Sequence, residues 1–265
     1  MVNWSMKNAY DCKDLEDIVR ILRHPGGCPW DQEQTHQSIR RNFLEETYEV
    51  AEAIDNGDVD GLKEELGDVL LQVYFHASIE EDAGRFTLDD VADGVCKKLI
   101  YRHPHVFGDV TVGSTGEVLD NWEELKKKEK HQDTQADAVD AVARTLPALW
   151  RAEKMKKKAA KAGFDWREAS GALDKLSEEV GELRAAALEG DGDPVEELGD
   201  VLFSAVCVGR FFDADPEEAL HAACDKFSAR FRKTEELAKA RGAEMDKLSE
   251  QELIALWREA KRQLK

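Results

Sequence analysis

Four polar signatures occur twice in this chain, in the same order and with similar gaps between them. Each series begins with Glu-Glu-x-x-Glu and continues with Glu-Leu-Gly-Asp, Lys-x-x-x-Arg and Trp-x-x-x-Lys. The first series starts at Glu45 and the second at Glu178. A single matching pair arises easily by chance, but four pairs in sequence indicate a duplicated structural unit. We therefore expect two tandem modules.

The polar segment between the two series predicts where one module ends and the other begins. We expect an N-terminal module over residues 1–130, a linker region over 131–145 and a C-terminal module over 146–265. Each module is then long enough to bury a hydrophobic core of its own.

Composition and capping signals predict an all-α fold. Charged residues make up 35% of the chain, Ala, Leu, Glu and Lys recur, and strand signals are nearly absent. Periodicity predicts eight to ten helices, with loops near residues 24–31, 103–116 and 126–137. Capping residues mark the expected helix starts at Asp58, Thr87, Asp215 and Ser249.

Charge and cysteine content exclude several classes of protein. The formal net charge of −19 argues against binding to a nucleic acid polymer, because phosphate backbones are held by clustered Lys and Arg. No apolar run approaches the roughly 20 residues that cross a bilayer, and no secretory signal is recognisable, so we expect a cytoplasmic protein without membrane partners. The five cysteines form no Cys-x-x-Cys pair, which predicts neither disulfides nor zinc.

The segment over residues 64–78 predicts a buried helix with one narrow polar strip. A helical wheel places apolar side chains almost all the way round and leaves Glu65, Asp68 and Gln72 on one side. The second copy repeats this pattern around Glu197, Asp200 and Ser204. Carboxylates on a mostly buried helix are costly unless they are paired or bound to a metal.

A neighbouring helix in each module supplies further carboxylates at a spacing of three residues. These are Glu46 and Glu49 in the first module, and Glu179 and Glu182 in the second. Such acidic runs are usually solvated surfaces, but the buried context and the duplication favour a metal site here. Because all the expected ligands are oxygens and none of them belongs to a Glu-x-x-His pair, Mg²⁺ is favoured, with Mn²⁺ as a possible substitute.

Basic and aromatic residues follow the carboxylates in each module. Lys226 and Arg230 lie one helical turn apart and could hold phosphate, although such pairs are commonly found on surfaces. Trp257 could stack on a base while Lys261 reaches phosphate, or the indole could simply be packed. The first module has the equivalent residues Lys98, Arg102, Trp122 and Lys126.

At these residues the chain resembles the MazG family of nucleoside triphosphate pyrophosphohydrolases, within the all-α NTP pyrophosphatase superfamily. The carboxylate pattern matches in both copies, and residues 28–36 and 101–107 resemble two further family motifs. The resemblance covers nearly the whole chain. It implies magnesium-dependent cleavage between the α and β phosphates, giving a nucleoside monophosphate and pyrophosphate from a broad range of ribo- and deoxyribonucleotides.

The resemblance also implies residue roles and a homodimer that completes four-helix-bundle-like metal sites. The expected catalytic residues are Glu178, Glu179, Glu182, Glu197 and Asp200, with Glu178 as the general base. The expected metal ligands are Glu179, Glu182, Glu197 and Asp200, and in the first module Glu46, Glu49, Glu65 and Asp68. The expected nucleotide-binding residues are Lys175, Glu178, Glu196, Lys226, Arg230, Trp257 and Lys261. A possible second site would use Glu45, Lys98, Arg102, Trp122 and Lys126.

Other readings of the sequence stay open at this point. Narrower relatives include a hydrolase restricted to dUTP or other non-standard nucleotides, and a phosphoribosyl-ATP pyrophosphohydrolase, although the duplication disfavours both. A regulatory protein that binds nucleotide without turnover is a different class, and so is a redox di-metal bundle. The second copy has Gly163-Phe164-Asp165-Trp166 where the first has Cys28-Pro29-Trp30-Asp31, so the two modules need not select the same nucleotides.

Overall fold

The computed structural model describes residues 4–129 and 134–264, and every regular element in these ranges is a helix. Thirteen are α-helices, and the short segments Arg210–Phe212 and Met245–Lys247 are 3₁₀ helices. The α-helices are α1 (Cys12–Arg23), α2 (Pro29–Glu33), α3 (His36–Asn56), α4 (Val59–Asp82), α5 (Leu88–Arg102), α6 (Pro104–Phe107), α7 (Thr115–Glu129), α8 (Gln135–Asp140), α9 (Ala148–Lys161), α10 (Ala169–Glu189), α11 (Pro194–Gly209), α12 (Pro216–Ala240) and α13 (Glu250–Gln263). The all-α prediction is confirmed.

The chain divides into two compact units, residues 1–126 and 127–265. The N-terminal unit is built on an antiparallel hairpin of α3 and α4, with α1 and α5 packed against α4. Its core centres on Val19, Ile39, Tyr74 and Phe75. The longest helices of this unit therefore form the frame that carries the expected carboxylates.

The C-terminal unit repeats the hairpin with α10 and α11. Helix α9 packs against α11, and α12 packs against α13 and α9. Small side chains such as Ala172 and Ala186 are buried in α10, which lets a neighbouring helix approach closely. The duplication inferred from the sequence thus corresponds to two copies of one helical hairpin.

Local capping explains where the hairpins turn. The residue after α3 is Gly57 with φ 64°, and the residue after α10 is Gly190 with φ 76°, a left-handed conformation that glycine adopts at little cost. Asp58 then caps α4 through the backbone N–H of Gly61, and Asp193 caps α11. The expected caps at Asp58, Thr87, Asp215 and Ser249 are all present.

The structure has more helices than the eight to ten expected, because short helices occupy the predicted loops. Pro29 opens α2 and Pro104 opens α6, and each ring presets the backbone angle of a first helical turn. Thr134 forms a capping box with Asp137 and starts α8 inside the expected linker. Residues 131–133 of that linker lie outside the described residues.

The expectation that α4 is buried on nearly all sides is wrong for a single chain. Leu66 and Leu70 are 51% and 37% exposed, and their equivalents Leu198 and Leu202 are each 48% exposed. The reason is that α3 covers one side of this half of α4, whereas α1 and α5 contact the helix nearer its C-terminus. Within the described residues, no helix is both long enough and apolar enough to span a membrane.

Candidate metal centre and nucleotide site

The hairpin of the N-terminal module brings three carboxylates together. Glu46 and Glu49 project from α3 and Glu65 projects from α4, and one oxygen of each lies within 4.8 Å of the others. Helical spacing explains the pairing on α3, because residues three apart share a face. Asp68, the fourth expected ligand, is outside this close group but near enough for its charge to help raise the pKa of Glu46.

The C-terminal hairpin forms the equivalent group. Glu179 on α10 and Glu197 and Asp200 on α11 have carboxylate oxygens within 4.8 Å of one another. Glu179 is buried, at 6% exposure. Glu182 is not part of this close group, although it shares a hydrogen bond with Glu179. Both modules therefore juxtapose three of the four expected metal ligands.

The donor set in both groups fits a small divalent cation. Around an octahedral Mg²⁺ with bonds of about 2.0–2.1 Å, neighbouring oxygens lie about 2.9 Å apart and opposite ones about 4.2 Å. Oxygens within 4.8 Å of one another need only small side-chain rotations to reach those separations. Since every donor is a carboxylate oxygen, the chemistry suits Mg²⁺ or Mn²⁺ better than zinc.

Crowding of negative charge shifts the pKa values of these carboxyls upward. Burial raises the pKa of Glu46, with contributions from Glu49 and Asp68. Burial also raises the pKa of Glu65 and of Glu197, and neighbouring carboxylates add to both effects. A cation bound among them would remove this repulsion.

Lys175 distinguishes the C-terminal module from the N-terminal one. Its ammonium lies 2.7 Å from Glu178 and 2.8 Å from Glu179. The hydrogen bond that Lys175 donates to Glu179 lowers the pKa of Glu179. The hydrogen bond to Glu178 is the main cause of the raised pKa of Lys175. A hydrogen bond with Glu179 raises the pKa of Glu182.

The N-terminal module has Asn42 at the position equivalent to Lys175, when Glu46 is matched with Glu179. Glu45 is paired instead with Arg41, at 2.8 Å on an exposed part of the helix. Glu46 therefore has no lysine one turn before it, where Lys175 lowers the pKa of Glu179. The two carboxylate groups lie on equivalent hairpins, but the N-terminal group has two residues from its first helix and the C-terminal group has two from its second.

The expected phosphate-binding residues of the C-terminal module lie on other helices. Lys226 and Arg230 are on α12, Trp257 and Lys261 are on α13, and these two helices pack together. Among the described residues, no hydrogen bond or ion pair joins them to the carboxylates of α10 and α11. Glu196 is exposed in the first turn of α11, beside Glu197.

In the N-terminal module the equivalent tryptophan is contacted by cations. Arg102 lies 5.4 Å and Lys126 lies 5.0 Å from the ring centroid of Trp122. Arg102 is buried, whereas Lys98, one turn earlier on α5, is exposed. Arg102 and Lys126 thus both contact the indole of Trp122.

Sequence reasoning missed a polar network at the open end of the α3–α4 hairpin. His36 donates from Nε2 to Glu80 at 2.5 Å, and its Nδ1 lies 2.7 Å from Nδ1 of His76. Burial lowers the pKa of His76, with a contribution from His36. Arg85 and His36 lower the pKa of Glu80 to about 2. The i,i+4 spacing of His76 and Glu80 on α4 was the available signal.

The two modules anchor the segment before the hairpin in a similar way. Arg23 donates to the backbone oxygen of Asp31 at 3.3 Å, and Lys156 donates to that of Phe164 at 3.2 Å. Arg23 also pairs with Asp82 at 2.8 Å. Both modules therefore have this anchoring contact, although the sequences of the two segments differ at this point.

In the C-terminal module a carboxylate of this segment bridges two cations. Asp165 lies 3.2 Å from the ammonium of Lys156 and also pairs with Arg210. Lys156 is buried, and its ammonium lies 4.3 Å from the ring centroid of Trp166. This network holds the segment Gly163-Phe164-Asp165-Trp166 against α9 and against Arg210, which directly follows α11.

Comparison with known proteins agrees with this arrangement. The sequence model of the MazG nucleotide pyrophosphohydrolase domain matches residues 34–107 and 168–234, which contain both carboxylate groups. A nucleoside triphosphate pyrophosphohydrolase of Escherichia coli K12 is 42% identical over 94% of this chain and 96% of its own length. A Thermotoga maritima protein named nucleoside triphosphate pyrophosphohydrolase/pyrophosphatase MazG is 43% identical over 94% of this chain and 95% of its own length. The uncharacterized Bacillus subtilis protein YabN is 48% identical over 95% of this chain, which corresponds to 52% of YabN. The chain therefore belongs to the MazG nucleotide pyrophosphohydrolase family.

Proposed function

We propose that this protein hydrolyses nucleoside triphosphates between the α and β phosphates, releasing a nucleoside monophosphate and pyrophosphate. The reaction depends on Mg²⁺, for which Mn²⁺ can substitute, and accepts a broad range of ribo- and deoxyribonucleotides. The observation that carries the proposal is the group of three carboxylate oxygens within 4.8 Å, present on equivalent hairpins of both modules. Family membership supports the same reaction class.

Glu179, Glu182, Glu197 and Asp200 would hold the metal in the C-terminal module. Bound there, the cation would polarise the attacked phosphoryl group and lower the pKa of the attacking water. The raised pKa of Glu197, caused by burial and by the carboxylates around it and only partly offset by Lys175, supports this role. Rotation of Glu182 toward Glu197 and Asp200 would complete the set.

Glu178 is the proposed general base. It is exposed and accepts a hydrogen bond from Lys175, and a carboxylate oxygen can accept a proton from water. The hydrogen bond to Glu178 raises the pKa of Lys175. We propose that Lys175 turns from Glu178 to a phosphate oxygen when substrate binds, which releases the carboxylate for proton transfer.

The remaining nucleotide contacts are proposed for residues on α11, α12 and α13. The positive charges of Lys226, Arg230 and Lys261 would meet the triphosphate in an otherwise acidic protein. These residues are Glu196, Lys226, Arg230, Trp257 and Lys261. We propose a second site in the N-terminal module that uses Glu46, Glu49, Glu65 and Asp68 as metal ligands and Glu45, Lys98, Arg102, Trp122 and Lys126 around the nucleotide.

A homodimer is proposed to complete the sites. Four leucines on the two helices that carry proposed metal ligands are more than a third exposed. They are Leu66 and Leu70 on α4, and Leu198 and Leu202 on α11. Apolar rows of this kind are covered when helices of a second copy pack against them in a bundle. We also propose a module boundary within 131–145. A cytoplasmic location is proposed as well, and the five unpaired cysteines support that location.

The first experiment incubates purified protein with each standard ribo- and deoxyribonucleoside triphosphate and with dUTP. Parallel reactions contain Mg²⁺, Mn²⁺ or EDTA, and the nucleotide products and pyrophosphate are quantified. We expect monophosphate plus pyrophosphate in the presence of metal alone. Diphosphate plus phosphate would refute the position of cleavage, and turnover of dUTP alone would refute the broad range.

Variants test the assignment of residues. Because each change removes a proposed metal ligand, Glu179→Ala and Asp200→Ala are each expected to lower kcat/KM more than about 100-fold. This exceeds the 10- to 100-fold loss typical when a residue that only orients a ligand is changed. Near-normal turnover in both would contradict the site. The double variant Glu46→Ala with Asp68→Ala measures the contribution of the N-terminal module, and an unchanged rate would confine catalysis to the C-terminal module.

A further inference from the structure

Two histidines face each other between the first turn of α3 and the last turns of α4. The Nδ1 atoms of His36 and His76 lie 2.7 Å apart, and the two rings are nearly parallel, with an interplanar angle of 14°. On its other side, His36 is hydrogen bonded through Nε2 to Glu80. The histidine pair therefore fastens the open end of the α3–α4 hairpin.

Hydrogen-bond roles limit how many protons the histidine pair can hold. Because the pKa of Glu80 is about 2, its carboxylate only accepts at neutral pH, and Nε2 of His36 must carry a hydrogen. One more hydrogen lies between the two Nδ1 atoms, since a separation of 2.7 Å needs one donor and one acceptor. A net charge of zero or one fits this arrangement. A second positive charge would put a hydrogen on both Nδ1 atoms, and two N–H groups cannot face each other at this distance.

The surroundings of His76 do not favour a second charge on the pair. Burial and the charge of His36 lower the pKa of His76 below its ordinary value of 6.5. From α3, the edge of the Phe43 ring also contacts His76. Glu80 is already bound by Arg85, which follows α4. The next two carboxylates of α4 are paired with cations of α1 and of the residue after it: Glu81 with Arg20, and Asp82 with Arg23 and His24.

The C-terminal module has no equivalent histidine pair. When the carboxylate motifs of the two copies are aligned, Ala169 takes the position of His36 and Val208 takes that of His76. A response of the pair to pH is therefore confined to the N-terminal module. The C-terminal hairpin provides a control within the same molecule.

We infer that His36 and His76 form an acid-sensitive latch, which opens the end of the N-terminal hairpin when the pair binds a second proton. The stability that the closed latch adds is complete above about pH 6.5, the ordinary pKa of histidine, and is lost as pH falls below it, because the lowered pKa of His76 makes the closed form bind the proton less readily. One proton changes the opening equilibrium by up to about tenfold per pH unit. This inference does not depend on the proposed reaction.

The test measures hydrogen exchange by mass spectrometry at pH 7.5, 6.5 and 5.5, with rates corrected for the intrinsic effect of pH. In wild type we expect protection of segments 36–46 and 74–82 to change little between pH 7.5 and 6.5. Between pH 6.5 and 5.5 it should fall by up to about tenfold. Segments 169–179 and 206–214 of the C-terminal hairpin should keep their protection.

Variants assign the response to the pair. In His76→Gln and in His36→Gln, one partner no longer takes up a proton in this pH range, so the fall in protection should disappear. His24→Gln is the matched control, because it removes a histidine at the same end of the module whose contact is with Asp82. The fall should persist in this control. Circular dichroism verifies that each variant is folded, and either variant of the pair is sufficient for the comparison.

Three results would overturn the inference. One is wild-type protection that stays constant from pH 7.5 to 5.5, which decides the matter without any variant. Another is a fall in protection that persists in His76→Gln or His36→Gln. The third is a fall of equal size in the C-terminal hairpin, which would indicate a general effect of acid on the protein.

Discussion

Asp165 is expected to contribute strongly to the stability of the C-terminal module. In Asp165→Asn, the ammonium of Lys156 and the guanidinium of Arg210 keep their charges but lose the carboxylate between them. At 3.2 Å and an effective dielectric constant of about 20, the gross attraction between Lys156 and Asp165 is about 5 kcal/mol. Desolvation offsets part of it, and removing one partner of a buried pair typically costs about 3–5 kcal/mol.

The assay is thermal unfolding at pH 7, followed by circular dichroism. For a unit of this size, a loss of 3–5 kcal/mol lowers Tm by about 10–20 °C. Hydrogen exchange read by mass spectrometry assigns the loss to residues after position 127. The matched variant Lys156→Met removes the buried charge and leaves Asp165 paired with Arg210, so its Tm should fall less. A Tm of Asp165→Asn within about 3 °C of wild type, or a larger fall in Lys156→Met, would refute the reasoning.

Two further predictions concern pH and metal. Because Arg85 and His36 hold the pKa of Glu80 at about 2 against an ordinary value of 4.5, the stability that this carboxylate adds is complete above about pH 4.5 and is lost as pH falls toward 2. The Tm difference between wild type and Glu80→Gln should therefore shrink between pH 6 and pH 3, and a constant difference would contradict the network. Mg²⁺ at 100 times its Kd should stabilise the folded protein by about 2.7 kcal/mol, and the double variant Glu65→Gln with Glu197→Gln should lose this gain. A gain that persists in the double variant would place the metal elsewhere.

The sequence predicted the helical hairpins well because their determinants are local. Asp58, Thr87 and Ser249 cap the helices that they were expected to cap, since each cap depends on residues within one turn. Exposure was harder to predict. Leu66 and Leu198 belong to helices whose apolar residues extend almost all the way round the axis. A helical wheel does not show which of those sides another helix covers.

The carboxylate groups could be predicted because residues three apart on a helix share a face and the pattern occurs twice. Contacts between distant residues could not. His36 and His76 are 40 positions apart, and their meeting depends on the register of α3 against α4. Likewise, the ring of Phe227 reaches Trp257 only because α12 and α13 pack together.

The contacts from Arg23 and Lys156 to the backbone oxygens of Asp31 and Phe164 have a consequence for protein engineering. The same number of residues separates Arg23 from the start of α3 and Lys156 from the start of α10. Segments 24–35 and 157–168 are therefore of equal length and are fastened by the same kind of contact. Swapping them would keep the spacing before each hairpin, but the C-terminal module would lose the carboxylate of Asp165, because Gln32 occupies that position in segment 24–35.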